Sequence, residues 1–180
     1  MTPGKIAPLL ALALVACGGG DYEEEPQRRA MQPQVALYGD SLTFDRTHAI
    51  ADGAFIAANY AQWGQGSFVP LAPSNAKVVV IRYGMADAIR LLTPDETVAN
   101  IQQLAATARE RGQVPIIVGM PCLDSELGEA TAAAIRQIQN VDVTPGCGPV
   151  PRTTDGIHPT ELEHARMDAI IRAAVLQELQ

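Results

Sequence analysis

Val35-Ala36-Leu37-Tyr38-Gly39-Asp40-Ser41-Leu42-Thr43 is a short apolar run that stops at a glycine, an acid and a serine. A run of this length, bounded by turn residues, reads as a buried strand. A serine at such a corner has its hydroxyl lifted above the end of a sheet, where substrate can approach. Gly-Asp-Ser is also ordinary turn chemistry. The pattern gains chemical meaning only if the rest of the chain supplies a base and a site for a developing oxyanion.

Working outward, Thr47 to Ala51 reads as a helical turn and Ala54 to Ala58 as a short strand. Asn59 to Ser67 is loop-like, with Gly64 and Gly66 letting backbone come close to a ligand. Val78-Val79-Val80-Ile81 is apolar at every position, which predicts a central strand covered on both faces. It runs out into Arg82-Tyr83-Gly84-Met85-Ala86-Asp87. Thr93-Pro94-Asp95-Glu96 places a threonine at N-cap, proline at N1 and glutamate at N3. The helix it opens carries Val98, Ile101, Leu104, Ala105 and Ala108 on one stripe and stops near Gly112.

Val114 to Val118 is a further apolar strand, and residues 124–139 read as a helix with Leu127, Ala130, Ala134, Ile135 and Ile138 inward. Val141 to Val143 reads as a short last strand. Thr160-Glu161-Leu162-Glu163 predicts a second capping box, opening a final helix. That helix would turn Leu162, Ala165, Ala169, Ile170, Ala173, Leu176 and Leu179 inward. Strands alternating with helices imply right-handed βαβ units, hence an α/β domain with a parallel sheet and helices on both faces. Ligands of such sheets bind beyond the carboxyl ends of the strands. Gly39-Asp40-Ser41, the 84–87 stretch and the loop before His158 all follow strands, so all three are expected at one edge.

The 180 residues fit one domain with a short extension. A net charge of −7 without a basic patch argues against nucleic acid as a partner. Aromatic residues at 4% argue against a stacking platform for bases. The first segment belongs to another physical regime. Lys5 precedes an apolar run from Ile6 to Ala16. At ~1.5 Å per residue this run cannot cross a hydrocarbon core of ~30 Å, and it reads as a signal peptide over residues 1–16.

Leu14-Val15-Ala16-Cys17 resembles the lipobox of bacterial lipoproteins. The resemblance implies cleavage before Cys17 and lipid on its thiol, an anchor without a transmembrane helix. Gly18 at the next position implies sorting to the periplasmic side of the outer membrane; an ordinary secretory signal would release the chain instead. Residues 17–34, with Gly18-Gly19-Gly20, Glu23-Glu24-Glu25, Pro26 and Pro33, read as a flexible tether ahead of a domain over 35–180.

A serine hydroxyl needs a base to take its proton during attack. The chain has three histidines. His164 falls inside the last helix at the edge of its apolar stripe, and His48 has no acid at a telling spacing. His158 sits on a loop at the sheet edge with Asp155 three residues earlier. That spacing lets the carboxylate reach Nδ1–H while Nε2 points at Ser41, fixing the tautomer and stabilising the imidazolium.

Gly39-Asp40-Ser41-Leu42 resembles the first block of the GDSL (SGNH) hydrolase family, and Asp155-Gly156-Ile157-His158-Pro159 resembles its last block. The likeness spans Val35 to Gln180. It implies a flavodoxin-like three-layer α/β/α fold, with Ser41 as nucleophile, His158 as base and then acid, and Asp155 as its orienting partner. The implied chemistry is hydrolysis of an ester or thioester through an acyl-enzyme, with no metal or other cofactor. O-acetylated glycans and small lipid-like or thioester substrates are both open.

The middle blocks fit less well. The resemblance implies oxyanion donors at the Ser41 amide and at a glycine, best matched by Gly64 with Gly66 as fallback. It also implies an asparagine donor where this chain has Ala86, and an alanine side chain cannot donate. A helix N-terminus after Ser41 would add to the remaining amides, and Asn59 or Asn75 are the nearest replacements in sequence. A catalytically weakened binding lipoprotein on the same scaffold is the alternative reading.

Asp40 and Asp87 are expected to hold loops by accepting from backbone amides. Trp63, Tyr83 and Met85 either line an acyl or sugar site or pack in the core. In an oxidising periplasm Cys122 and Cys147, on loops at the same sheet end, suggest a disulfide, contributing roughly 3 kcal/mol in the loop-entropy model.

Overall fold

Alternation along the strands decides which helices each side chain meets. The computed structural model describes residues 32–121, 123–143, 153 and 155–180. Within them β1 (Val35–Gly39), β2 (Ala57–Asn59), β3 (Val78–Arg82) and β4 (Val114–Ile117) form one parallel sheet in the order β2-β1-β3-β4. On one face Ala36, Tyr38, Val79, Ile81 and Ile117 pack with Ile101, Leu104 and Ala108 of α3 (Pro94–Glu110) and Ile135 of α4 (Glu126–Arg136). On the other, Val35, Leu37, Val78, Val80 and Ile116 meet Ile50 of α1 (Thr47–Ala51) and Met167, Ile171 and Val175 of α5 (Glu161–Leu179). A short α2 (Met85–Ile89) follows β3. The result is a three-layer α/β/α fold. Burial of each large aliphatic contributes about 1.5–3 kcal/mol relative to exposure. Among the described residues no helix is long and apolar enough to cross a membrane.

Local signals are realised where they involve neighbours in sequence. At the start of α3, Glu96 N–H donates to Thr93 Oγ1 (3.3 Å) and Thr93 N–H donates to Glu96 Oε2 (2.9 Å), a complete capping box. The corresponding box at Thr160 does not form. Thr160 has the extended N-cap backbone, but its side chain caps nothing, because Glu163 instead accepts from Arg166 Nε at 3.0 Å. No helix starts at Ser41 either: Asp40 O accepts from Thr43 and Phe44 N–H in a single turn, and α1 begins only at Thr47.

Longer-range packing corrects other expectations. The second strand is Ala57–Asn59 rather than Ala54 to Ala58. The expected Val141 to Val143 strand contributes only a parallel bridge from Val141 to Val118. Helix α4 is shorter than predicted and buries Gly128, Thr131, Ala132 and Ile135, with Ala130 exposed. In α3, Thr97 is buried and Val98 only half-buried.

Helix α5 is rotated most. It buries His164, Met167, Asp168, Ile171 and Val175, while Leu162 is 78% exposed. Arg46 causes the rotation by donating from Nε to the buried Asp168 carboxylate (2.9 Å) and from Nη1 and Nη2 to Glu161 (3.0 Å each). A stripe read from apolar residues alone omits the acid and the histidine.

The carboxyl ends of β1 and β3 are held level by five register pairs, Val35↔Val78 through Gly39↔Arg82. Gly39 is required by close approach: a Cβ there would stand 2.5 Å from the Arg82 carbonyl oxygen. The next residue, Asp40, is fully buried. Its Oδ1 accepts from Leu42 N–H (3.0 Å) and its Oδ2 from Ala86 N–H (3.1 Å), so one carboxylate fixes both the Ser41 turn and the start of α2. Arg82, also fully buried, donates from Nη1 to Leu42 O at 2.9 Å. Burial pushes Asp40 up to about 6, against the pull of its two amide bonds and the Arg82 charge. Burial also pushes His164 down to about 4, helped by the Arg82 and Arg46 charges.

Two predictions concern stability. Asp40→Ala orphans two buried N–H groups at about 1–3 kcal/mol each, so urea unfolding should show a loss of about 2–6 kcal/mol; an unchanged midpoint would contradict the assigned brace. His164 takes its proton in the unfolded chain near its ordinary 6.5 but in the folded chain only near 4. Between those values the unfolded state binds more protons, so this residue lowers stability as pH falls. Asp40 acts in the opposite sense, because its folded value lies above its ordinary 3.8. His164→Leu should therefore lose less Tm than the native chain between about pH 7 and about pH 4.5. An equal loss would remove His164 as the acid-sensitive group.

Candidate functional site

The turn before α5 carries Asp155 and His158. Asp155 Oδ1 accepts from Ile157 N–H (2.9 Å), His158 N–H (3.0 Å) and the Thr153 hydroxyl (2.6 Å), which wraps the backbone around the carboxylate. Its other oxygen, Oδ2, lies 2.6 Å from His158 Nδ1. The Thr153 hydroxyl, the His158 ring and the two amides hold Asp155 well below the usual carboxylate range. His158 Nε2 is 2.8 Å from Ser41 Oγ, 117 positions away in sequence. Ser41, Asp155 and His158 are thus joined in one hydrogen-bonded line. With the carboxylate on Nδ1, Nε2 is left as the acceptor for the serine proton.

Trp63 lies over the imidazole with ring centroids 4.8 Å apart and is itself met edge-on by Phe44 at 6.2 Å. It is 67% exposed and walls a cavity of about 310 Å³ over Ser41 and His158. The cavity is mostly apolar, with Ile89 and Ile157 completing its sides. Of the three aromatic or thioether candidates only Trp63 lines it; Tyr83 and Met85 are buried in the core.

Gly64 and Ala86 border the same cavity as Ser41. Gly64 has φ +69°, a left-handed conformation suited to glycine. Among the described residues neither the Ser41 nor the Gly64 amide N–H has a hydrogen-bond acceptor, so both can serve a ligand. Ala86 offers nothing: its side chain is a methyl and its N–H is taken by Asp40. Gly66, the fallback, lies instead against Asp87 and Phe68.

Asn59 does not replace the missing donor, because its Nδ2 donates to Thr43 O (3.1 Å) and its Oδ1 accepts from Ala61 N–H (2.9 Å). Asn75 lines a separate recess with Tyr60 and Pro73. Asp87 holds the 64–67 loop by accepting from Ser67 N–H at 2.9 Å. His48 is exposed on α1.

Cys17, Cys122 and Cys147 lie outside the described residues, as do residues 1–16, read above as a signal peptide, and most of 17–34, read as a tether. Among the described residues no cluster of three or more His, Cys, Asp or Glu is arranged to hold a metal ion. Sequence reading missed Thr153, Arg82 and Arg90. A charged residue closing an otherwise apolar strand was the available signal for Arg82. For Arg90 it was a cation one helical turn after Ala86.

No family model and no curated protein sequence matches the chain. Solved structures do. A GDSL-like lipase from Bacteroides thetaiotaomicron superposes with a TM-score of 0.62 at 19% identity, covering 79% of this chain and 87% of the lipase. A member of the lipolytic G-D-S-L family from Veillonella parvula gives 0.61 at 14% identity, over 76% and 94%. An acetyl esterase mutant with an acetate ion gives 0.65 at 16% identity, over 79% and 96%. The chain therefore shares the three-layer α/β/α fold of GDSL-type lipases and esterases.

Proposed function

We propose that this protein is a serine esterase that hydrolyses a carboxylic ester through an acyl-enzyme. The observation that carries the reading is the continuous line Asp155–His158–Ser41 at 2.6 and 2.8 Å, opening into a mostly apolar cavity. Ser41 Oγ attacks the acyl carbon while His158 Nε2 takes its proton. The Ser41 and Gly64 amides face the oxygen that becomes negative. Collapse of the tetrahedral intermediate expels the alcohol, which receives the proton from His158. Water then attacks the acyl-enzyme by the same steps in reverse, releasing the acid and freeing Ser41. A cavity of about 310 Å³ walled by Trp63, Ile89 and Ile157 suits a compact acyl group. Acetyl groups on glycans and small lipid or thioester substrates remain the candidate classes.

The same proposal places the domain on the bacterial envelope, with residues 1–16 removed, lipid on Cys17 and residues 18–34 as spacer. The support is the Leu14-Val15-Ala16-Cys17 sequence and the acidic, glycine- and proline-bearing stretch after it. One observation favours a second reading, a surface protein that binds acyl esters without turning them over. That observation is Ala86, which gives the cavity no donor from side chain or backbone.

Ser41→Ala should abolish hydrolysis of p-nitrophenyl acetate while the circular dichroism spectrum and Tm are retained; turnover at the native rate would exclude Ser41 as nucleophile. A fluorophosphonate probe should label the native chain at Ser41, and a pure binding protein would stay unlabelled. Asp155→Asn should lower kcat by about 10³–10⁴ by letting the imidazole take the wrong tautomer. A kcat within threefold of native would remove Asp155 from the mechanism.

A further inference from the structure

Ala86 lies in α2, and Arg90 caps the C-terminus of that helix. Arg90 N–H donates to Ala86 O at 3.0 Å, so the two are one helical turn apart, and both border the cavity that holds Ser41 and His158. Arg90 Nη2 lies 3.9 Å from the point where a Cβ on Gly64 would stand, which brings the guanidinium beside that residue. Its Cζ sits 5.8 Å from the centre of the half-exposed Phe68 ring, a cation–π shelf that limits where the side chain can go. Its backbone N–H is used by Ala86, whereas among the described residues its guanidinium has no hydrogen-bond partner and acts on the Asp87 carboxylate through charge alone. Among the described residues Arg90 is the one arginine or lysine bordering this cavity.

We propose that the Arg90 guanidinium is the oxyanion donor that Ala86 fails to supply, an inference that rests on the esterase reading above. As the ester carbonyl becomes tetrahedral, its oxygen takes negative charge between the Ser41 and Gly64 amides, and a guanidinium N–H completes the set. A charge-assisted donor is stronger than a neutral amide, and apolar walls around the cavity strengthen it further by excluding water. The substrate carbonyl carries much less charge before attack, so the benefit falls on the transition state and appears in kcat.

The test uses neutral p-nitrophenyl esters on the full chain. Arg90→Ala and Arg90→Gln should each lower kcat about 10²–10³-fold, the usual effect of losing one oxyanion donor, with KM within a few-fold and Tm unchanged. Inactivation by a neutral fluorophosphonate, whose P–O group occupies the same place, should slow in parallel. Arg90→Lys should retain part of the rate. Ala86→Asn should raise kcat far more in the Arg90→Ala background than in the native chain, because one donor then stands in for the other.

If both Arg90 variants keep native kcat while Ser41→Ala is dead, the arginine assignment fails and the esterase stands. If they raise KM only, and only for anionic esters, the guanidinium binds substrate charge and the assignment is likewise overturned. If Ser41→Ala turns over normally, the esterase reading fails and this inference with it.

Discussion

One buried carboxylate ties together two loops that sequence keeps far apart. Asp40 sits where β1 leaves the sheet and accepts from Leu42 N–H on one side of Ser41 and from Ala86 N–H on the neighbouring loop. Remove that acceptor and the serine turn and the start of α2 lose their common anchor. The arrangement works only because β1 and β3 are parallel neighbours whose last residues pair in register. It also needs Gly39, since any larger side chain would collide with the Arg82 carbonyl. A carboxylate held this deep is disfavoured in its charged form. Two amide hydrogen bonds and the buried Arg82 guanidinium offset part of that cost.

A second constraint operates from the far end of the chain. The turn from Thr153 to His158 is built around Asp155, one of whose oxygens is fully used in fixing backbone while the other meets the imidazole. Ring orientation is therefore set before any substrate arrives. Trp63 then covers the imidazole from the loop after β2. Three separate strand ends thus contribute to one cavity, and each arrives with its side chain already limited to a narrow range. The proposed esterase mechanism would draw on this preorganisation.

Beneath the site lies a charged inlay in the layer between the sheet and α5. Arg46 binds Asp168 and Glu161 from a turn 122 and 115 positions away. Arg82 donates to Leu42 O and to Met167 Sδ. His164 stays neutral among these cations. Hydrophobic contact alone would let α5 slide or roll over the sheet, whereas a guanidinium with fixed partners selects one orientation. The same helix begins three residues after His158, so its seating decides where the imidazole comes to rest.

The sequence by itself determined the parallel α/β class, the strand at Val35 with its Gly-Asp-Ser exit, the capping box at Thr93, and the identities of Ser41, Asp155 and His158. The strands and the capping box are written in short runs of neighbouring residues, and the three site residues in two short blocks whose likeness to a known family paired them. Tertiary structure alone decided that α5 buries His164 and Asp168, that Asn59 braces Thr43 instead of facing Ser41, and that Val141 makes a single bridge. It also brought Arg90 beside Gly64. In the α5 and Asn59 cases a polar side chain took a partner far from it in sequence. That choice follows from which groups desolvation leaves within reach of each other, and spacing along the chain does not encode it.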